Sequence, residues 1–512
     1  MKAILVLILL LSFSFSYSQL NENQIDSIAQ LTLKTFDVPG IAIAIIKDGK
    51  VVHSKGYGVR SLLNNKPIDS NTLFGIASNS KAFTSAALAI MVDEGKLKWD
   101  DKVTDIIPEF KLYDPYVTNS FTVRDLLSHR SGLGLGAGDL MFFPDDNNFT
   151  KKEIIHNLRY LKPVSEFRSK YDYNNNMFIV AGEVLERVSG MSWEDFIETR
   201  IMKPLKFEYS KASWERAKNS TNIIDAHVFF NGKVQTIPHD WSNNANAAGG
   251  ILSNLNDLSK WVIMQLDSGR YNNNQKLFSL KSQEEMWSPQ TIIPVHGKNY
   301  YNTHFSSYGL GWRVTDTKGY KEVGHTGGLL GTVTQITLIP DLKLGIIVLT
   351  NQQSGAAFSA ITNSIKDGYL GLQGKKWVTD YSAIIRRNDN RLDSIENAAW
   401  KIATPSNLIS EDHKKIYTGI FKDDWFGKIS ITNENGKLRF VSEKSSKLKG
   451  ELFFYKGNTF IVKWDNRSLD ADAYVVFSLN KDGRAVAFTM DPISSRTDFS
   501  FDFQDLDFKR VE

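Results

Sequence analysis

Residues 75–97 read GIASNSKAFTSAALAIMVDEGKL, with a serine, Ser78, three positions ahead of a lysine, Lys81, and no charge from 82 to 92. A hydroxyl is a poor nucleophile at neutral pH and needs a base within hydrogen-bonding reach. Residues three apart on a helix share a face, so this spacing brings the two side chains together. The uncharged run predicts a helix buried almost all round. A lysine at the head of such a helix loses hydration, which lowers its pKa and makes the neutral amine accessible as a base. Ser78 would sit at the helix start, where the dipole and free N–H groups favour negative charge. The spacing alone is not distinctive, because Ser446/Lys449 and Ser478/Lys481 repeat it away from any apolar helix.

Two further segments carry chemistry. In YDYNNNMFIVAGEVLERVSG, Tyr173 and Asn175 lie just before an apolar helix, where a phenol can relay protons and an amide can hold a substrate carbonyl. The same Tyr-x-Asn spacing recurs at Tyr271/Asn273 and Tyr300/Asn302. In VGHTGGLLG, the chain's single His-Thr-Gly, His325, Thr326, Gly327 and Gly328 precede a strand. Glycines there let a substrate approach the backbone, and successive N–H groups can complete an oxyanion hole. There is no Gly-x-Ser-x-Gly elbow, no His-Glu-x-x-His and no phosphate-binding glycine loop. His129, in LLSHRSGL, lacks a second ligand at metal spacing and reads as a turn residue.

The elements that must position these groups are legible from periodicity and turn chemistry. A helix is predicted over 25–36, then a hairpin of GIAIAIIK and VVHSKGYG turning at Asp48-Gly49. A helix-rich stretch follows from about 100 to 270, with capping signals at Thr122/Asp125, Thr150/Glu153 and Ser192/Asp195. Strands return as YGLGWRV, TVTQITLIP and LGIIVLTN, the last two joined at Asp341-Leu342-Lys343, and a helix over 356–369 closes the unit. Strands, helices, then strands in one core imply an α+β domain whose antiparallel sheet joins both chain ends. A charged, partly helical connector precedes seven short strands, from YTGIF to AVAFTMD, that read as a small all-β barrel or sandwich.

The chain has 512 residues, 42% hydrophobic and 23% charged, enough for two or three domains. Its net charge of +4, dispersed among 61 basic and 57 acidic residues, is no nucleic-acid signature. A small molecule or peptide is the expected partner. The start, MKAILVLILLLSFSFSYSQ, reads as a secretory signal peptide cleaved near Ser18, with an apolar core too short to span a bilayer. With no cysteine, disulfides and thiol catalysis are excluded. A periplasmic or secreted protein without stable membrane insertion is expected.

In this order the three motifs resemble those of the serine β-lactamase-like superfamily, which includes class C β-lactamases, D,D-peptidases, penicillin-binding proteins and esterases. The similarity extends to TVRDLLSHRSGL, AAGGILSNLNDLSKWV, YGLGW and GHTGGLLGTVTQITLIPDLKLGIIVLTN, and covers about residues 20–370. The tail resembles the lipocalin-like β-domain that follows the catalytic domain in some of these hydrolases. The implied architecture is a signal peptide over 1–18, an α+β hydrolase domain over 19–372 with a helical subdomain, a helical linker over 373–407, and a β-barrel over 408–512. The resemblance implies Ser78 as the acylated nucleophile, Lys81 as its base and Tyr173 as proton shuttle. Asn175, His325, Thr326, Gly327 and Gly328 would bind substrate, with the N–H groups of Ser78 and Gly328 as the oxyanion hole. No metal or cofactor is implied. Asn174, where the family often has Ser, and His325, in place of Lys, shift weight from a β-lactam substrate towards a peptide or ester. Substrate choice is assigned to residues 133–170, which include Phe142, Phe143, Asp145 and Asp146, and the barrel to covering the cleft or to oligomer formation.

Overall fold

The computed structural model describes residues 20–272 and 275–512; the expected signal peptide lies outside the described residues. Asn21 caps the first helix, α1 (Glu22–Thr35), by accepting from the Gln24 N–H, while the Gln24 side chain returns a bond to the Asn21 N–H. The hairpin β1 (Gly40–Lys47) and β2 (Lys50–Gly58) turns where Asp48 and Gly49 both take positive φ, the geometry that matches strand twist in a two-residue loop. Helix α2 (Ser80–Asp93) is buried from Ser80 to Met91, as its uncharged sequence requires, and α3 (Asn176–Ser189) and α4 (Leu255–Leu266) pack in the same core.

The sheet is completed by β3 (Thr291–Ile292), β4 (Ser306–Tyr308), β5 (Arg313–Thr317), β6 (Tyr320–Leu329), β7 (Thr332–Ile339) and β8 (Leu344–Thr350), in the antiparallel order β2-β1-β8-β7-β6-β5-β4-β3. The two chain ends of the domain meet in its middle, with Ile43 opposite Val348. Strand β1 is apolar from Ile41 to Ile46 because both its faces are covered there. Ile41, Ile43 and Ile45 pack under α1 and α5 (Gly355–Leu370), while Ala42, Ala44 and Ile46 face the main core. One expectation needs correction: YGLGWRV is not one strand. Residues 309–312 form the turn between β4 and β5, where Gly311 has φ +75°.

The connector, expected to be partly helical, is built on a single 26-residue helix, α6 (Trp377–Ile402). Its charges line solvent and only Val378, Leu392 and Ala399 are buried, so one narrow stripe holds it to the protein. The C-terminal strands form a closed antiparallel barrel of eight, not seven. The additional strand, Asp507–Arg510, pairs with both Gly419–Asp423 and Ala485–Pro492, and so removes the free edges that an open sheet would present. Four residues with three charges carry no strand signal; closure selects them. The barrel docks on the hydrolase domain through Phe143 against Phe501 and Phe149 against Phe426, and through a Lys447–Asp240 ion pair of 2.6 Å whose carboxylate is buried. No helix among the described residues is long and apolar enough to cross a membrane.

Candidate active site

Ser78 lies in a 3-10 turn, Ala77–Asn79, that runs directly into α2. Ala77 takes φ +51°, a left-handed conformation that costs a non-glycine residue energy. Its neighbours hold it there. Asn79 donates to Thr334, and Thr334 donates to the Ile76 carbonyl at 3.0 Å, so β7 clamps the turn. On the other side Gly327 of β6 packs against the turn so closely that a Cβ would lie 2.3 Å from the Ile76 oxygen. Gly327 therefore supports the Ser78 turn from behind rather than lining the cavity.

The Lys81 amine, fully buried, sits 3.0 Å from Ser78 Oγ and donates to Asn175 Oδ1 at 2.7 Å and to the Ala248 carbonyl at 2.8 Å. Burial holds its pKa well below the ordinary lysine value, with Asp139 opposing. A neutral amine has two N–H donors and one lone pair. Two carbonyl-type acceptors take the donors, which leaves the lone pair for the Ser78 hydroxyl. Ala248 reaches Lys81 because Thr84 of α2 bonds the Ala247 carbonyl and Ser80 accepts from the Ile251 N–H, pinning residues 247–251 across the helix.

Tyr173 donates to Ser78 Oγ at 2.7 Å, so the serine oxygen has a base on one side and a phenol on the other. Burial raises the Tyr173 pKa well above the ordinary value, against the Ser78 hydrogen bond, and keeps the proton on the phenol. The ring rests on His129, 4.2 Å between centroids. His129 is a buried turn residue with φ +52°, kept neutral by burial, that accepts from the Asn174 N–H. Asn174 turns away from the cavity: its amide donates to the Ala137 carbonyl and accepts from the Met177 N–H, closing the start of α3.

Along β6 the side chains alternate, with Thr326 and Gly328 open to the cavity and His325 and Gly327 turned inward. His325 accepts from the Tyr308 hydroxyl at Nε2 and donates from Nδ1 to the Thr326 carbonyl, so both ring nitrogens are occupied. Burial pushes its pKa down to about 3, and the imidazole is uncharged at neutral pH.

The cavity, about 330 Å³, brings Ser78, Tyr173, Asn175, His325, Thr326 and Gly328 together with residues the sequence did not mark. Arg313 stands at the start of β5 beside the Tyr171 ring, its position set by the GLGW turn of residues 309–312. Leu135, Phe143, Trp241, Leu329 and Leu330 form apolar walls, and Asp498, Phe499 and Ser500 enter from the barrel. Asp139, behind Asn175, accepts from the Asn175 amide at 2.7 Å; its burial raises its pKa to about 7. Within residues 133–170, Leu135 and Phe143 reach the cavity, whereas Phe142 packs on Trp241 and the Asp145 N–H bonds Asp240. Much of the remainder is a docking surface for the barrel, with the Asn148 N–H bonding the Lys444 carbonyl and Asn157 bonding that of Trp425.

Residues 25–367 match the family described as Beta-lactamase, and residues 406–510 match a domain of unknown function, DUF3471. An unguisins hydrolase, ungD', of Aspergillus campestris is 29% identical over 89% of this chain and 86% of its own. Protein flp of Staphylococcus aureus strain MW2 is 27% identical over 65% of this chain and 64% of its own. The octameric penicillin-binding protein homologue from Pyrococcus abyssi superposes with a TM-score of 0.62 at 23% identity, over 96% of this chain and all of that one, and shares the fold. With well over half of its length matched in order and its site residues assembled around one cavity, the chain belongs to the beta-lactamase family of hydrolases.

Proposed function

We propose that the protein is an exported serine hydrolase that works through an acyl-enzyme on Ser78 and cleaves small peptides, including those with D-amino acids. The observation that carries this reading is the set of contacts at the Lys81 amine: two acceptors for its hydrogens and the Ser78 oxygen on the remaining side. As Ser78 Oγ bonds to the substrate carbonyl carbon, its proton passes to Lys81. The oxygen that gains negative charge is met by the N–H groups of Ser78 and Gly328. Tyr173, already bonded to Ser78 Oγ, delivers a proton to the leaving amine as the scissile bond breaks, and takes one from water in deacylation.

Arg313 favours a peptide over a neutral ester, because a guanidinium on the cavity wall suits a substrate carboxylate, which the neutral His325 cannot hold by charge. The apolar walls suit an uncharged side chain. The apolar run of residues 3–11 supports export.

Labelling purified protein with a fluorophosphonate and a fluorescent penicillin tests the mechanism. Label is expected on Ser78 and is expected to vanish in Ser78→Ala; label retained at another serine overturns the assignment. Parallel hydrolysis of a D-Ala-D-Ala peptide and a p-nitrophenyl ester separates peptidase from esterase, and faster turnover of the peptide in the native chain than in Arg313→Ala is expected.

A further inference from the structure

The barrel does more than wall the cavity. Ser500 is buried and donates from Oγ to Asp139 Oδ2 at 2.8 Å, the same oxygen that accepts from Asn175 Nδ2 at 2.7 Å. The other face of that Asn175 amide accepts from Lys81. The loop that carries Ser500 is held against the hydrolase domain: the Asp502 carboxylate accepts from the Gly138 N–H at 2.5 Å, and Phe499 stands edge-on to Tyr173. Gly136, with φ +73°, lets it in, since a Cβ there would lie 2.5 Å from the Phe499 carbonyl oxygen.

We propose that Ser500, of the C-terminal barrel, is a positioning residue of the hydrolase site, which fixes the Lys81 amine through Asp139 and Asn175. A primary amide has two nearly isosteric orientations, and only one offers an oxygen to Lys81. Turned over, Asn175 would set its N–H groups against the Lys81 hydrogens and its oxygen against the Asp139 carboxyl. Asp139 thus selects the productive orientation, but its Oδ1 is buried without a partner among the described residues, so Oδ2 and its two donors anchor the whole group. One of those donors comes from the barrel, and the docked barrel is thereby part of the catalytic unit.

The inference rests on the proposed acyl-enzyme mechanism, and the full-length chain tests both. The rate constant of fluorophosphonate acylation and the steady-state kcat and KM are measured for the native chain, Ser78→Ala, Ser500→Ala, Ser500→Thr and Asp139→Ala, each after a thermal melt. Ser500→Ala is expected to acylate about ten-fold more slowly with KM changed less than about two-fold, the loss of one buried hydrogen bond. Ser500→Thr, which keeps the hydroxyl, is expected to recover most of that loss. The Ser500→Ala/Asp139→Ala double variant is expected to lose no more than Asp139→Ala alone, since the hydroxyl acts only through that carboxyl. Label that depends on Ser78 while Ser500→Ala acylates at the native rate overturns the positioning role alone. So does a rise in KM without a fall in kcat, or additive losses in the double variant. Label that survives Ser78→Ala overturns both readings.

Discussion

Two walls of one cavity are built on opposite principles. The hydrolase wall consists of Ser78, Lys81, Tyr173 and Asn175, whose reactive polar atoms are mutually bonded and whose charges have been removed by burial. The barrel wall carries Asp498, Phe499 and Ser500, with Asp502 behind, and there burial raises the pKa of both carboxyls without an ion-pairing partner to offset it. The first wall is a closed network of short contacts that holds a strained turn in place. The second is an inserted loop that fills space and touches the network at Asp139 and, through Phe499, at the Tyr173 ring. The two walls meet at Asp139, and substitutions away from that contact should differ in kind between them.

The largest effect should come from the network itself. Lys81→Met removes the proposed base and leaves two acceptors unpaired, and kcat for ester hydrolysis is expected to fall by about 10⁴-fold, by analogy with loss of one member of a catalytic group. A Lys81→Met chain that turns over at near-native rate would show that another group deprotonates Ser78.

Next is the pH dependence of stability, which reports on the acids where the walls meet. Asp139 has a folded-state pKa of about 7, above its ordinary value of 3.8, so the native chain keeps a proton that the unfolded chain releases. Stability contributed by that proton is complete below about pH 4 and is lost as the pH rises to 7 and above, by up to about 4 kcal/mol. Asp498 and Asp502, also raised by burial, act in the same direction. Urea denaturation at pH 5, 6.5 and 8 is expected to show falling stability, with a shallower slope in Asp139→Asn. An unchanged slope in that variant would place the titrating group elsewhere.

At the barrel dock, Lys447→Ala strands the buried Asp240 carboxylate, at an expected cost of about 3 kcal/mol of stability. Calorimetry should show the loss with the acylation rate little changed if the dock as a whole still holds. Tyr173→Phe deletes the phenol while keeping the ring on His129, so the fold is preserved and kcat is expected to drop about 10²-fold. The smallest change belongs to the inserted loop. Phe499→Ala widens the cavity and is expected to raise KM for bulky apolar substrates several-fold, about 1 kcal/mol, with kcat nearly constant. If kcat falls instead, the loop's contribution is to the reacting groups and not to access.

Much of the hydrolase wall was legible because its residues answer to local rules. An uncharged run after Lys81 means burial, burial means a depressed amine pKa, and three-residue spacing sets the serine beside it. The hairpin at Asp48-Gly49 and the capping box at Thr150/Glu153 follow from turn and cap chemistry, and both are present. YGLGWRV misled because an apolar stretch with β-type residues looks the same whether it runs straight or folds back at Gly311. Residues 133–170 were less legible for another reason: their aromatic and acidic side chains suit a substrate or a protein surface equally, and Leu135 and Phe143 reach the cavity while Phe149 and Glu153 meet the barrel.

The amino-acid sequence by itself determined the two folds and the groups able to do acyl-transfer chemistry, because amphipathic periodicity, turn residues and a buried lysine are properties of neighbouring positions. Only the tertiary structure decided how Lys81 spends its hydrogens, why Gly327 must be glycine, which arginine lines the cavity and which barrel residues reach it. Ser500 and Asp139 stand 361 positions apart, and nothing in either neighbourhood marks the pair. Their hydrogen bond exists because the barrel closes on a four-residue strand and docks against Phe143 and Asp240, contacts that no local pattern encodes.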